Sequence, residues 1–295
     1  MNREMSYLLG MICGNGEIKR GAIETTISIE IPHKKLATEN NNDVRIYVRA
    51  SITDIRTVLE PLIGTGLNFT QQDNYSIISF TKRNDEYMMR EILRYTGNAV
   101  SHENIRIDEE IFAFTRDEKI SFLQGFADVT GYIRRSNYFF KTYMHRVYLE
   151  VPHNWHLVSD VCQLLKDVNI PVQAIDWAHP NMRDGNLVKY NEGKPDFWKK
   201  EHQIKIWANE FLPIGFAVLH KREAFTQFAI ELVDGIKSEG KNPENVTHKF
   251  YWEGKGKNKV KPHHPSENDA FIPSEIRGRH YDSWKQIAKD LGYEE

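Results

Sequence analysis

Two stretches of this chain are variants of one motif, and internal repetition sets an architecture before any single element is assigned. Residues 6–18 read SYLLGMICGNGEI and residues 121–133 read SFLQGFADVTGYI. Aligned without gaps, Ser6/Ser121, Leu8/Leu123, Gly10/Gly125, Gly16/Gly131 and Ile18/Ile133 coincide, and Tyr7 and Phe122 are both aromatic. Each copy reads as a short apolar helix closed by glycine, the pattern of a chain leaving a helix through a left-handed cap.

The order of elements behind each copy also repeats. After Gly16 come an extended run, ETTISIEI, and an alternating run, RIYVRAS, that reads as a half-buried strand. A helix over ITDIRTVLEPLIG follows, then strand-like LNFT and SIISF, then a helix over NDEYMMREILRYTG. After Gly131 the strands are YIRRSNYFF and HRVYLEV, with a helix over HLVSDVCQLLKDV. Strands PVQAIDW and QIKIW and helices EFLPIGFAVL and REAFTQFAIEL complete the unit. Both units read αββαββα, an α+β fold of two pseudo-symmetric repeats, 1–115 and 116–237. Residues 238–295 form a tail with a basic loop, KGKNKVKPHH, and a short helix, DSWKQIAKDLG. IEIPH (29–33) and LEVPH (149–153) echo each other, but in this register they fall on different strands, so the echo reads as chance.

Composition excludes some classes. The formal net charge is −2, so no overall basic field draws the chain to nucleic acid, and any such surface depends on local sorting of charge. Two cysteines, Cys13 and Cys162, make no metal spacing and fit a reduced, cytoplasmic or otherwise intracellular setting. No apolar run is long enough for a membrane span or a signal peptide. Phosphate-loop, dinucleotide and hydrolase-elbow patterns are missing. His153 and His156 lack a partner pair for a metal and read as caps.

The two nonamers LLGMICGNG (8–16) and LQGFADVTG (123–131), each opening an αββαββα unit, resemble the LAGLIDADG family of homing endonucleases and its non-cutting relatives. The resemblance covers about residues 5–235. It implies two motif helices packed on a pseudo-twofold axis, with Gly10, Gly14, Gly125, Cys13 and Ala127 as small seam residues. It also implies a curved sheet whose polar face lies in the major groove of double-stranded DNA, bound by a monomer. The polar strand faces then offer Arg45, Tyr47, Arg49, Arg134, Arg146, Tyr148, Gln203 and Lys205 as DNA contacts.

The motif departs from the family at one position. Cutting members carry an acid just before the last motif glycine, where a divalent cation such as Mg²⁺ needs a hard charged ligand. Here those positions are Asn15 and Thr130. Asp128 and Glu17 are the nearby carboxylates, so Asn15, Glu17 and Asp128 are the candidate metal ligands. With Thr130, and with Lys221 in IGFAVLHKREAF placed to stabilise phosphate charge, they make up the candidate catalytic set. Two functions follow: a metal-dependent endonuclease, homing or restriction type, with a divergent site, or a non-cleaving DNA-binding regulator. A third is a protein-interaction module using the same sheet.

Overall fold

The computed structural model describes residues 2–36, 44–135, 145–152, 154–180, 200–230, 247–251 and 260–263, together with 286 and 289. The first unit runs α1 (Arg3–Asn15), β1 (Gly16–Arg20), β2 (Glu24–Pro32), α2 (His33–Leu36), α3 (Val44–Ile63), β3 (Asn68–Gln71), β4 (Tyr75–Arg83) and α4 (Tyr87–Thr96). The second runs α5 (Arg116–Thr130), β5 (Gly131–Arg135), β6 (His145–Pro152), α6 (Trp155–Asp167), β7 (Ala174–Pro180), β8 (Lys200–Trp207), α7 (Ala208–Phe211) and α8 (Leu219–Ile230). Strands β9 (Thr247–Tyr251) and β10 (Val260–His263) follow. The fold is α+β with two αββαββα repeats.

Each sheet has one order. Sheet A is β1-β2-β4-β3, and sheet B repeats it as β5-β6-β8-β7 before adding β9 and β10 outboard of β7. Sheet A is antiparallel throughout, while β9 runs parallel to β7. The tail therefore supplies two strands where a basic loop is expected, and Val260–His263 falls inside KGKNKVKPHH. The short tail helix lies outside the described residues, apart from 286 and 289.

α1 and α5 form the seam between units. α1 starts at Asn2, whose side chain accepts from Met5 N at 2.8 Å, and α5 starts at a Thr115/Glu118 capping box. A Cβ on Gly10 would lie 1.9 Å from the Phe122 carbonyl oxygen, and one on Gly125 would lie 2.0 Å from that of Tyr7. Phe122 and Tyr7 are themselves equivalent positions, so the two approaches are related by the pseudo-twofold axis. Only glycine permits backbones this close. The left-handed cap is a correction. Gly16 and Gly131 have φ −95° and −97° and pass straight into strands. Glycine is needed there because a Cβ would meet the carbonyl of Ile12 or Ala127 at 2.6 Å.

A second correction concerns RIYVRAS, which is the first part of α3 and not a strand. Seven residues that alternate fit either period, but the longer run resolves it. Val48, Ser51, Ile55, Leu59 and Ile63 are buried at helical spacing. Thr53 and Thr57 bond back to the carbonyls four residues earlier. The strand that replaces it is β1. With β1 in place the echo is structural: Gly16 pairs with Ile29 and Gly131 pairs with Leu149. Glu30 and Glu150 are thus equivalent positions on β2 and β6.

The sheets bury one face each. Ile27, Ile29, Ile31, Ile78 and Phe80 point inward from sheet A, and Val147, Leu149, Val151, Ile204 and Ile206 from sheet B. The connection between units runs along the edge of β1, with Ile18 N on Val100 O at 2.7 Å and His102 N on Gly16 O at 2.8 Å. Asn154 and Asp160 of the second unit hold the same connection by hydrogen bonds to His102 O, Ile105 O and Ile107 N, so it is a fixed strap.

Candidate nucleic-acid interface

The helix ends at the seam carry the residues expected to hold a metal, and they differ between copies. Asn15 is half-buried and donates from Nδ2 to the Glu30 carbonyl at 2.8 Å. Thr130 is 2% exposed and donates its hydroxyl to Phe126 O at 2.7 Å. Asp128 is fully buried, with Oδ2 accepting from Tyr7 OH at 2.8 Å and Ala217 N at 3.0 Å. Burial raises its carboxyl above the ordinary range, opposed by Lys221.

Lys221 does not reach toward a phosphate. Its Nζ lies 3.0 Å from Gly131 O and 3.4 Å from both Ala127 O and Asp128 O, capping the carbonyl end of α5. The amine is 1% exposed, sits 3.9 Å from Asp128 Oδ1, and is pushed down to about 8 by burial, with Asp128 opposing. Glu17 is exposed on β1 opposite Ser28. Its charge, after burial, raises the carboxyl of Glu30, and Lys34 opposes. Among the described residues no group of three or more His, Cys, Asp or Glu could hold a metal ion. The donor set at the two helix ends is an amide and a buried hydroxyl, so it does not fit a paired-acid Mg²⁺ site.

The two sheet faces turned away from the core also differ. On sheet A, Lys19, Thr26, Ser28, Ser79, Thr81 and Asn68 lie exposed or half-exposed. Small hydroxyls fill its two central strands, with Thr26 and Thr81 bonded to each other at 2.8 Å, and Glu17 and Lys19 flank them on β1. On sheet B, the register places Arg134, Arg146, Tyr148, Gln203 and Lys205 on one face, as the strand pattern predicts. That face is closed: Arg146, Tyr148, Gln203 and Lys205 are 6%, 4%, 2% and 7% exposed. Lys205 is ion-paired with Asp176. Arg146 lies over the Trp207 ring at 4.1 Å, and Tyr148 stacks on Tyr132 at 5.2 Å.

Glu150 joins the units. Its Oε1 accepts from Tyr132 OH and Gln203 Nε2, both at 2.9 Å, and its Oε2 accepts from Lys35 of α2. Burial opposes ionising Glu150, but the Lys35 charge and hydrogen bonds with Glu201 and Lys35 hold its carboxyl below the usual value. Neighbouring Glu201 is raised to about 7 by burial and then by the Glu150 charge.

Arg45, Tyr47 and Arg49 do not join this face. All three are on α3, where Tyr47 packs its ring 4.9 Å from His220 and Arg49 is exposed. The sequence reading missed Lys35, Glu150, Glu201 and Asp176, and it missed Thr26, Ser28 and Ser79 on sheet A. The IEIPH/LEVPH echo was the signal that marks Glu30 and Glu150.

At the level of sequence, neither a protein-family model nor a curated protein matches the chain. Solved structures do. The chain is similar to the LAGLIDADG homing endonuclease I-GzeII in complex with its DNA target, at 8% identity and TM-score 0.43, over 78% of this chain and 89% of that one. It is similar to I-DmoI in complex with DNA and Ca at 15% identity and TM-score 0.37, over 69% and 82% of the two chains. It is also similar to full-length DUF199/WhiA from Thermatoga maritima at 16% identity and TM-score 0.41, over 80% of this chain and 63% of that one.

Proposed function

We propose that this protein binds double-stranded DNA sequence-specifically through its two sheet faces, as a monomer, without cutting the duplex. One observation carries the reading. At the two positions where paired acids would serve a cation, Asn15 and Thr130 stand instead, and both are engaged in bonds to backbone carbonyls. The two-unit frame remains: an open hydroxyl-rich face on sheet A and an Arg/Lys/Tyr face on sheet B, of a kind that suits phosphates and base edges. Such a protein acts as a regulator that occupies its site. No described helix is long and apolar enough to cross a membrane.

A second reading, cleavage of one strand, is favoured by Glu17 and Glu30, which lie together beside the end of α1 with the Glu30 carboxyl raised. Supercoiled plasmid carrying a bound site separates the two when incubated with Mg²⁺ or Mn²⁺. The expected result is intact supercoiled DNA at high protein concentration. Nicking that Glu17→Ala abolishes would overturn the non-cleaving reading.

A further inference from the structure

The two units place very different chemistry at equivalent strand positions. Thr26, Ser28 and Ser79 on sheet A correspond by register to Arg146, Tyr148 and Lys205 on sheet B. The first three are half-exposed and carry no charge. The sheet B counterparts are buried, and the ammonium groups there are each held by a carboxylate. Asp176, 0% exposed, pairs with Lys205, and Glu150, 5% exposed, pairs with Lys35.

A buried ammonium must be paired, because removing its partner leaves an uncompensated charge. Carboxylate and phosphate oxygens compete for the same donors. We infer that Asp176 and Glu150 are internal stand-ins for DNA phosphate: they neutralise Lys205 and Lys35 in the free protein, and a duplex engages sheet B by exchanging those carboxylates for its own phosphates. The inference rests on the DNA-binding reading above and adds a latched half to it. Tyr132 and Gln203 hold the Glu150 carboxylate in place independently of Lys35, so the lysine is the partner free to leave. Lys35 belongs to the first unit, so exchange at Glu150 also removes one of the ties between α2 and the second unit, the His220–Leu36 O bond at 2.6 Å being another.

The test is fluorescence anisotropy of a labelled mixed-sequence duplex, titrated with wild type, Asp176→Asn and Glu150→Gln over a range of salt. Circular dichroism and thermal melting establish that each variant is folded. Each folded variant is expected to bind about tenfold tighter than wild type at low salt. Its salt slope steepens by about one unit for the ammonium released. The double variant Asp176→Asn/Lys205→Met returns to wild-type affinity. If Asp176→Asn does not fold, Glu150→Gln/Glu201→Gln decides, since it keeps the acceptor for Tyr132 and Gln203 and also removes the second carboxylate that faces Lys35. Measurable binding by wild type with no gain in the folded variants overturns the stand-in role. Absence of binding by every form at low salt overturns the DNA reading itself.

Discussion

Lys221 and Glu201 show how burial reassigns a charged residue. Lys221 sits where a phosphate-facing lysine is expected, yet its ammonium closes the end of α5 and faces Asp128. Lys221→Met leaves that carboxylate without its cation and the α5 carbonyls uncapped. The expected loss is about 3 kcal/mol of unfolding free energy, read by urea denaturation. Glu201 acts through pH. Its folded value is raised from 4.5 to about 7, so the folded state holds the proton more tightly. The stabilisation is complete below the unfolded value near 4.5 and is lost as pH rises toward 7. Unfolding free energy, measured as wild type minus Glu201→Gln, is expected to fall across that window by on the order of 2 kcal/mol. A flat difference contradicts the assignment.

The seam helices were the most legible elements in the sequence. Their glycines mark contacts that no other residue can make, so the same spacing stands in both copies. Gly10→Ala is expected to cost about 3 kcal/mol or prevent folding, because its Cβ would land on the Phe122 carbonyl. Thermal melting checks it, with Gly66→Ala, which has open space around it, as the control. The sheets were half legible. β2, β4, β6, β7 and β8 follow from alternation, whereas β1 is five residues that open on Gly16 and run into Gly21, too short a period to read. RIYVRAS alternates over seven residues, and only burial at Val48, Ser51 and Ile55 reveals the helix. That single shift of one strand hid the IEIPH/LEVPH correspondence and assigned the expected DNA contacts of the first unit to Arg45, Tyr47 and Arg49, which belong to α3. The site was less legible still, because Lys35–Glu150 pairs residues 115 positions apart in different units.

The whole molecule is pseudo-symmetric in backbone and asymmetric in surface. Among the described residues sheet A has four strands and an open face of hydroxyls with Glu17, Lys19 and Glu30 at its margin, while sheet B has six strands and a buried, self-paired face of Arg, Lys and Tyr. Two added strands extend sheet B by about 10 Å. The duplex sequence recovered by selection is therefore expected to be non-palindromic, with unlike half-sites. A palindromic consensus would contradict the unlike faces. On the proposed reading, a chain of net charge −2 needs no overall basic field: its cations are sorted locally and stay neutralised until a polyanion replaces their partners. The central claim is tested most directly by selecting duplexes from a randomised pool on the full chain, then measuring the affinity of the enriched duplex across salt. The account predicts enrichment of one asymmetric site whose binding weakens steadily with salt and which stays uncut in Mg²⁺. No enrichment and no binding at low salt would contradict it.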